Sequence, residues 1–235
     1  MKTLTYSLQH YVVQKGGMSN KEAVQCVLSG RVLVNGRKGL LRQTVQHHDE
    51  VRLDGQVLKA PQMFTYMAFH KPRGIESTLN PNIRHNLLQT IPTAQRVYPV
   101  GRLDKESEGL MLLTNDGQIY GRILHAEHHQ EKEYSVTVNK PLTPEAITQL
   151  AAGVVIMGQQ TRPARIAQLT ENSFTIVLTQ GLNRQIRRMC YKLGYQVQQL
   201  VRTRMVNIRL GELQPGQWRD LSPSELQELR QIVAA

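Results

Sequence analysis

Acidic residues are scarce in this chain: 18 Asp and Glu stand against 29 Lys and Arg, a net charge of +11 at pH 7. That excess points to a polyanionic partner, nucleic acid most simply, or to an anionic membrane surface. Long apolar runs are also missing. No stretch approaches the length of a membrane span, and at 5% aromatic residues no basic amphipathic stretch has a strong aromatic face. The membrane reading is therefore set aside. Only Cys26 and Cys190 are present, each at an apolar position of an expected helix. Two such cysteines exclude a disulfide framework and a cysteine zinc site, and they read as free thiols in a reducing cytoplasm. His125, His128 and His129 are the single histidine cluster, without a nearby cysteine, and read as a solvated loop rather than a metal site. Met1-Lys2-Thr3 leads into no apolar core of a signal peptide. A dinucleotide fingerprint and a P-loop are absent too.

What is present is enough for an ordinary domain plus a small one: 235 residues, 40% of them hydrophobic. Residues 1–60 hold nine Lys/Arg and four Asp/Glu. Leu4, Leu8, Tyr11 and Val12 recur at the spacing of one helix face. Ser19 with Glu22 forms a capping box for a second helix carrying Ala23, Cys26 and Val27, which Gly30 ends. Arg31–Val34 and Glu50–Leu53 read as strands beside Asn35-Gly36 and Asp54-Gly55 turns. Residues 56–62 read as a linker, which places the domain boundary between 60 and 61.

In residues 61–235 strands outnumber helices and follow no regular βαβ rhythm. Strands are expected at 64–69, 110–113, 132–138 and 173–179. Thr143-Pro144 opens a helix, and Ser222-Pro223-Ser224-Glu225 caps a last one that carries Leu226, Leu229 and Ile232 and closes the domain. The fold class is α+β with a mostly antiparallel sheet. Between Glu171 and Glu212 the chain has seven basic residues and no acidic one. On a helix over 184–193, Arg184, Arg187, Arg188 and Tyr191 fall on one face, and Ile186, Met189, Cys190 and Leu193 on the other. With no acidic partner nearby, that stripe reads as phosphate-binding rather than merely solvated. Tyr195–Leu210 reads as one long strand whose apolar phase slips, implying a bulge or bend near 202–205. Leu200 there shares its parity with Arg202 and Arg204.

The stretch with most chemistry is Gly101-Arg102-Leu103-Asp104, continuing through Ser107-Glu108-Gly109-Leu110. A Gly-bounded polar loop carries an Asp between basic residues and runs into an apolar strand. A carboxylate held this way is both rigid and reachable, as a nucleophile or general base must be. A solvated surface loop has the same composition. His70-Lys71-Pro72-Arg73-Gly74 likewise reads as a phosphate contact or a plain basic turn.

Together with Glu131-Lys132-Glu133-Tyr134 and Gly181-Leu182-Asn183-Arg184-Gln185-Ile186-Arg187-Arg188-Met189, these stretches resemble the RsuA/RluB/RluE/RluF family of RNA pseudouridine synthases. They stand in the family's order, and most resemble its RluF type, which modifies a uridine in 23S ribosomal RNA. Relatives that act on 16S RNA or tRNA stay open. The resemblance implies an S4-like RNA-binding module over 1–60. It implies a catalytic domain over 61–235 built on a long bent mixed sheet flanked by helices, acting as a monomer without cofactor or metal. The first helix departs from the pattern, with Thr3, Thr5 and Tyr6 where relatives are more basic.

Carried to matching positions, the family's pattern makes Asp104 the nucleophile. Tyr134 would stack on the uracil, and Arg184 would pair with Asp104. Arg102 would fill the space the flipped base leaves or hold the adjacent backbone, and Leu200 would press on the other face of the base. Lys71, Arg187, Arg188 and Arg202 would hold phosphates. Three other readings compete on sequence alone. A non-catalytic S4-type RNA-binding protein would not need the intact Asp motif, and a DNA-binding regulator would show helix-turn-helix spacing. A glycosidase using Glu106 and Glu108 would require two carboxyl groups about 5 Å apart, and a basic chain suits a neutral sugar poorly.

Overall fold

The computed structural model describes residues 7–91, 96–124 and 130–234. The expectations resting on Leu4, on the basic pattern at residues 2–6, and on His125, His128 and His129 lie outside the described residues. The chain forms two compact units, 1–64 and 65–235.

In the first unit, α1 (Leu8–Gly16) starts under the Ser7 hydroxyl, and α2 (Asn20–Leu28) starts at the expected capping box, closed in both directions by Ser19 and Glu22. Strands β1 (Val32–Val34), β2 (Arg37–Lys38), β3 (Val51–Leu53) and β4 (Gln56–Lys59) form a sheet in the order β2-β1-β3-β4. Leu8, Val12, Ala23, Cys26 and Val27 of the helices pack on Val32, Val34 and Val51. The Asn35-Gly36 and Asp54-Gly55 turns take positive φ at both residues, as tight hairpins require. The expected linker is corrected here, since β4 occupies most of it and the unit ends at Phe64. Gln56 and Val57 are both exposed, so this edge strand shows no alternation for a sequence reading to detect.

The second unit runs β5 (Tyr66–Lys71), β6 (Tyr98–Pro99), β7 (Glu108–Thr114), α3 (Gly117–Leu124), β8 (Lys132–Val138), α4 (Pro144–Ala152), β9 (Val155–Ile156), β10 (Gln159–Gln160), β11 (Arg165–Thr170), β12 (Ser173–Leu178), α5 (Gln185–Lys192), β13 (Val197–Met205), β14 (Ile208–Arg209), β15 (Trp218–Asp220) and α6 (Pro223–Ala234). The main sheet has the order β11-β12-β8-β13-β7-β5-β15, with β14 on β13 and β6 on β7. Among the described residues every pairing in it is antiparallel except β7 with β13, which touch only at Val201–Glu108 and Arg202–Gly109. Gly109 makes that seam possible. It sits at φ 109°, and a Cβ there would lie 2.5 Å from both the backbone N and O of Arg202.

Each half of the sheet has its own core. One gathers Val136, Val138, Phe174, Ile176, Ile186, Met189, Cys190 and Leu200. The other gathers Met67, Phe69, Leu103, Met111 and Leu113, and Tyr134 packs against both. Three expectations shift. The strand expected at 64–69 is β5, which extends through Lys71. The slipped strand is β13 with a bulge between Arg202 and Arg204, then a tight turn at Val206-Asn207 into β14, with Val206 at φ 55°. The last helix buries Leu229 and Val233, and Ile232 faces outward. No helix among the described residues is long and apolar enough to cross a membrane.

Candidate active site

The loop from Gly101 to Ser107 enters β7 at the seam between the two halves of the sheet. Asp104 sits half-buried on it. Five consecutive backbone carbonyls, Arg102 to Glu106, each accept a hydrogen bond. Arg202 Nη1 donates to Arg102 O at 3.5 Å, and Ser77 Oγ donates to Leu103 O at 2.6 Å. Ser107 N donates to Asp104 O at 2.9 Å, Gly74 N to Lys105 O at 2.7 Å, and Arg187 Nη2 to Glu106 O at 2.9 Å. Ser77 Oγ also accepts from Leu103 N at 3.0 Å, so one buried hydroxyl holds both backbone groups of the residue before Asp104. Four of the donors come from the loop after β5, from α5 and from β13, and the fifth, Ser107 N, from the loop itself. A backbone whose successive carbonyls are each engaged has little freedom left.

Three cations expected at phosphates are placed otherwise. Lys71 is wholly buried, and its Nζ donates to Pro72 O at 2.8 Å and Ile75 O at 2.7 Å. It ties down the turn that carries Gly74. Burial pulls its pKa to about 8, against the opposing charges of Glu76, Glu108 and Asp104. Arg202 is also buried, and its Nε donates to Leu110 O at 2.6 Å. Burial lowers its pKa, while the nearby Tyr134 favours the charged form. Arg187 is half-buried and joins Val197 O, Glu106 O and Ser107 Oγ. Burial and Arg184 lower its pKa, while Asp104 raises it. These cations answer to buried carbonyls, which must be paired once water is excluded.

Arg184 is exposed at the cap of α5, in the left-handed region at φ 51°. Among the described residues no hydrogen bond or ion pair joins it to Asp104, so the expected pairing is corrected. The Asp104 charge acts on both Lys71 and Arg187, favouring their charged forms. Arg188 is exposed on the same helix, its Nε 3.0 Å from Asn183 O. Arg102 is exposed on the loop itself. Tyr134 is half-buried on β8, opposite Arg202 of β13 and Ile176 of β12. Leu200 is buried opposite Val136.

Two residues escaped sequence reasoning. Ser77 lies in an irregular segment and has no local signal. Lys132 shares a face of β8 with Tyr134, and burial with Arg202 nearby brings its pKa to about 8. Its period-two spacing from Tyr134 was the available signal. Cys190 is buried with its thiol pushed up to about 12. Among the described residues no group of three His, Cys, Asp or Glu is arranged to hold a metal ion.

A half-buried carboxylate on a clamped loop, an aromatic ring spanning two cores and a basic helix beside them define a class. Residues 65–192 match the RNA pseudouridylate synthase family, and the chain belongs to it. It is an RNA pseudouridine synthase, an isomerase. Among its relatives, the dual-specificity RNA pseudouridine synthase RluF of Escherichia coli K12 is 40% identical over 96% of this chain and 79% of its own length. The ribosomal large subunit pseudouridine synthase B of Bacillus subtilis is 30% identical over 96% of each chain. A pseudouridylate synthase crystal structure superposes with a TM-score of 0.67 at 28% identity, covering 95% of this chain and 99% of its own.

Proposed function

We propose that this enzyme isomerises one specific uridine of 23S ribosomal RNA, with Asp104 as the nucleophile. The observation that carries the reading is the loop itself: five carbonyls in succession are held by fixed donors while the Asp104 side chain stays within reach. A nucleophile so fixed needs no reorganisation as it attacks. The target base must first leave the stack, at a cost of a few kcal/mol that RNA binding offsets. Asp104 then adds to the nucleoside, and the N1–C1′ bond breaks with its electron pair left on the uracil. The base turns, C5 bonds to C1′ as the bond to Asp104 breaks and its electron pair returns to the carboxylate, the C5 proton leaves, and N1 gains one. Atoms and oxidation state are unchanged overall.

Tyr134 stacks on the uracil and takes part in proton transfer at C5, and Leu200 closes the other side. Arg102 occupies the space vacated in the RNA, and Arg184 and Arg188 meet phosphates. The first unit serves as an S4-like RNA-binding module, and the enzyme acts as a cytoplasmic monomer. The large-subunit name of one relative supports ribosomal RNA. The dual specificity in another's name favours a second RNA substrate as well. The test is a pseudouridine map of cellular RNA with the wild-type chain and with Asp104→Asn. Loss of one 23S stop in the variant is the expected result, and identical maps would remove Asp104 from the chemistry.

A further inference from the structure

We propose that a groove between α5 and the β9–β10 hairpin holds a single-stranded RNA segment flanking the target uridine, with Tyr191 as a stacking platform for one of its bases. This rests on the RNA reading above and extends it away from the Asp104 loop. The groove measures about 500 Å³ and is lined by Met157, Arg184, Arg187, Arg188, Tyr191 and Lys192 among others. None of its lining residues is acidic. Among the described residues no carboxylate pairs with Arg184, Arg188 or Lys192.

Three features favour a nucleic acid strand over other occupants. The first is the charge: Arg184, Arg188 and Lys192 are exposed along one wall with no paired carboxylate, which suits a repeating polyanion. The second is exposed apolar surface within that charge: Tyr191 is 74% and Met157 65% exposed. An aromatic face among cations is how single-stranded bases are gripped without sequence preference. The third is continuity. Arg187 lines the groove and also binds Glu106 O and Ser107 Oγ, so the groove begins where the Asp104 loop ends. The groove is also held open by structure. The hairpin turn places Met157 and Gly158 at positive φ, and Arg188 is braced on Asn183. Beneath them the buried Tyr195 ring carries Lys140 Nζ 4.8 Å from its centroid, a further cation beside the groove.

The test uses the full chain and a labelled oligouridine in a polarisation titration at several salt concentrations. Tyr191→Ala should weaken binding about tenfold, the ordinary loss for one stacked base, and Tyr191→Phe should restore it. Lys192→Gln should weaken binding and reduce the salt slope by about 0.7, one phosphate contact on a single strand. Both exposed variants should melt with the wild type. Unchanged oligouridine affinity in Tyr191→Ala and Lys192→Gln would overturn the groove. So would a polyglutamate probe that binds as tightly as oligouridine. The Asp104→Asn map is independent of these titrations. A groove that fails while that map still loses its stop leaves the enzymatic reading intact, and identical maps refute that reading alone.

Discussion

Ser77→Ala should cripple the enzyme from a position that never touches RNA. The hydroxyl makes two bonds to Leu103, donating at 2.6 Å and accepting at 3.0 Å, and the site is buried. Its removal strands one amide N–H and one carbonyl away from water. Allowing for partial relaxation, the loss is about 2–4 kcal/mol. In a domain of this size that lowers Tm by about 5–15 °C. The stranded groups belong to the residue next to Asp104, so the loop must shift to find new partners. A displacement of about 1 Å can cost ~100-fold in rate. The assay is tritium release from RNA labelled at uracil C5, since that hydrogen leaves when the new C–C bond forms. The rate constant should fall about 10–100-fold while KM changes little, because RNA-binding side chains stay in place. Ser77→Thr keeps the hydroxyl and should recover most of the rate. An alanine variant that melts with the wild type and turns over within about twofold would refute the argument.

Other perturbations follow from the same frame. Gly109→Ala puts a methyl 2.5 Å from the Arg202 backbone at a φ that alanine resists, so the seam must open; thermal melting should show a large loss of Tm along with loss of turnover. Lys71 has a pKa of about 8 when folded and an ordinary, higher value when unfolded. Between these values the unfolded chain binds the extra proton, so this group makes stability rise with pH above about 8. Lys71→Met should flatten that rise, seen as a smaller change in denaturation midpoint from pH 8 to 10. A variant whose slope matches the wild type would assign the effect elsewhere.

The loop, its strand and the two faces of α5 were legible because each is a local pattern. Ile186, Met189 and Cys190 turn inward and Arg184, Arg188 and Tyr191 outward, as a 100° step requires. The family's motif picked out Asp104, but not what holds it. Lys71, Arg187 and Arg202 look like phosphate ligands in a sequence, because buried cations are rare and their partners are backbone carbonyls distant in the chain. One local sign did exist. Leu200 shares its parity with Arg202, so a core position for one places the other inside as well, and both are buried. Ser77 has no such sign. Its partner Leu103 is 26 residues away and is met only through its backbone. The edge strand Gln56–Lys59 was missed because its burial does not alternate: Gln56 and Val57 are both exposed, and Leu58 and Lys59 are both partly buried.

The narrow parallel seam also orders events in time. Arg202 reaches Leu110 across 92 residues, and Arg187 reaches Glu106 across 81. Contacts of such separation form late, after the local hairpins. During synthesis the ribosome releases Asp104 long before the strand that braces it. A nascent chain that stops short of β13 therefore carries its nucleophile on an unheld loop. Catalytic competence arrives only once β13 has been made, and shortened chains that stop before it have the motif without the means to use it.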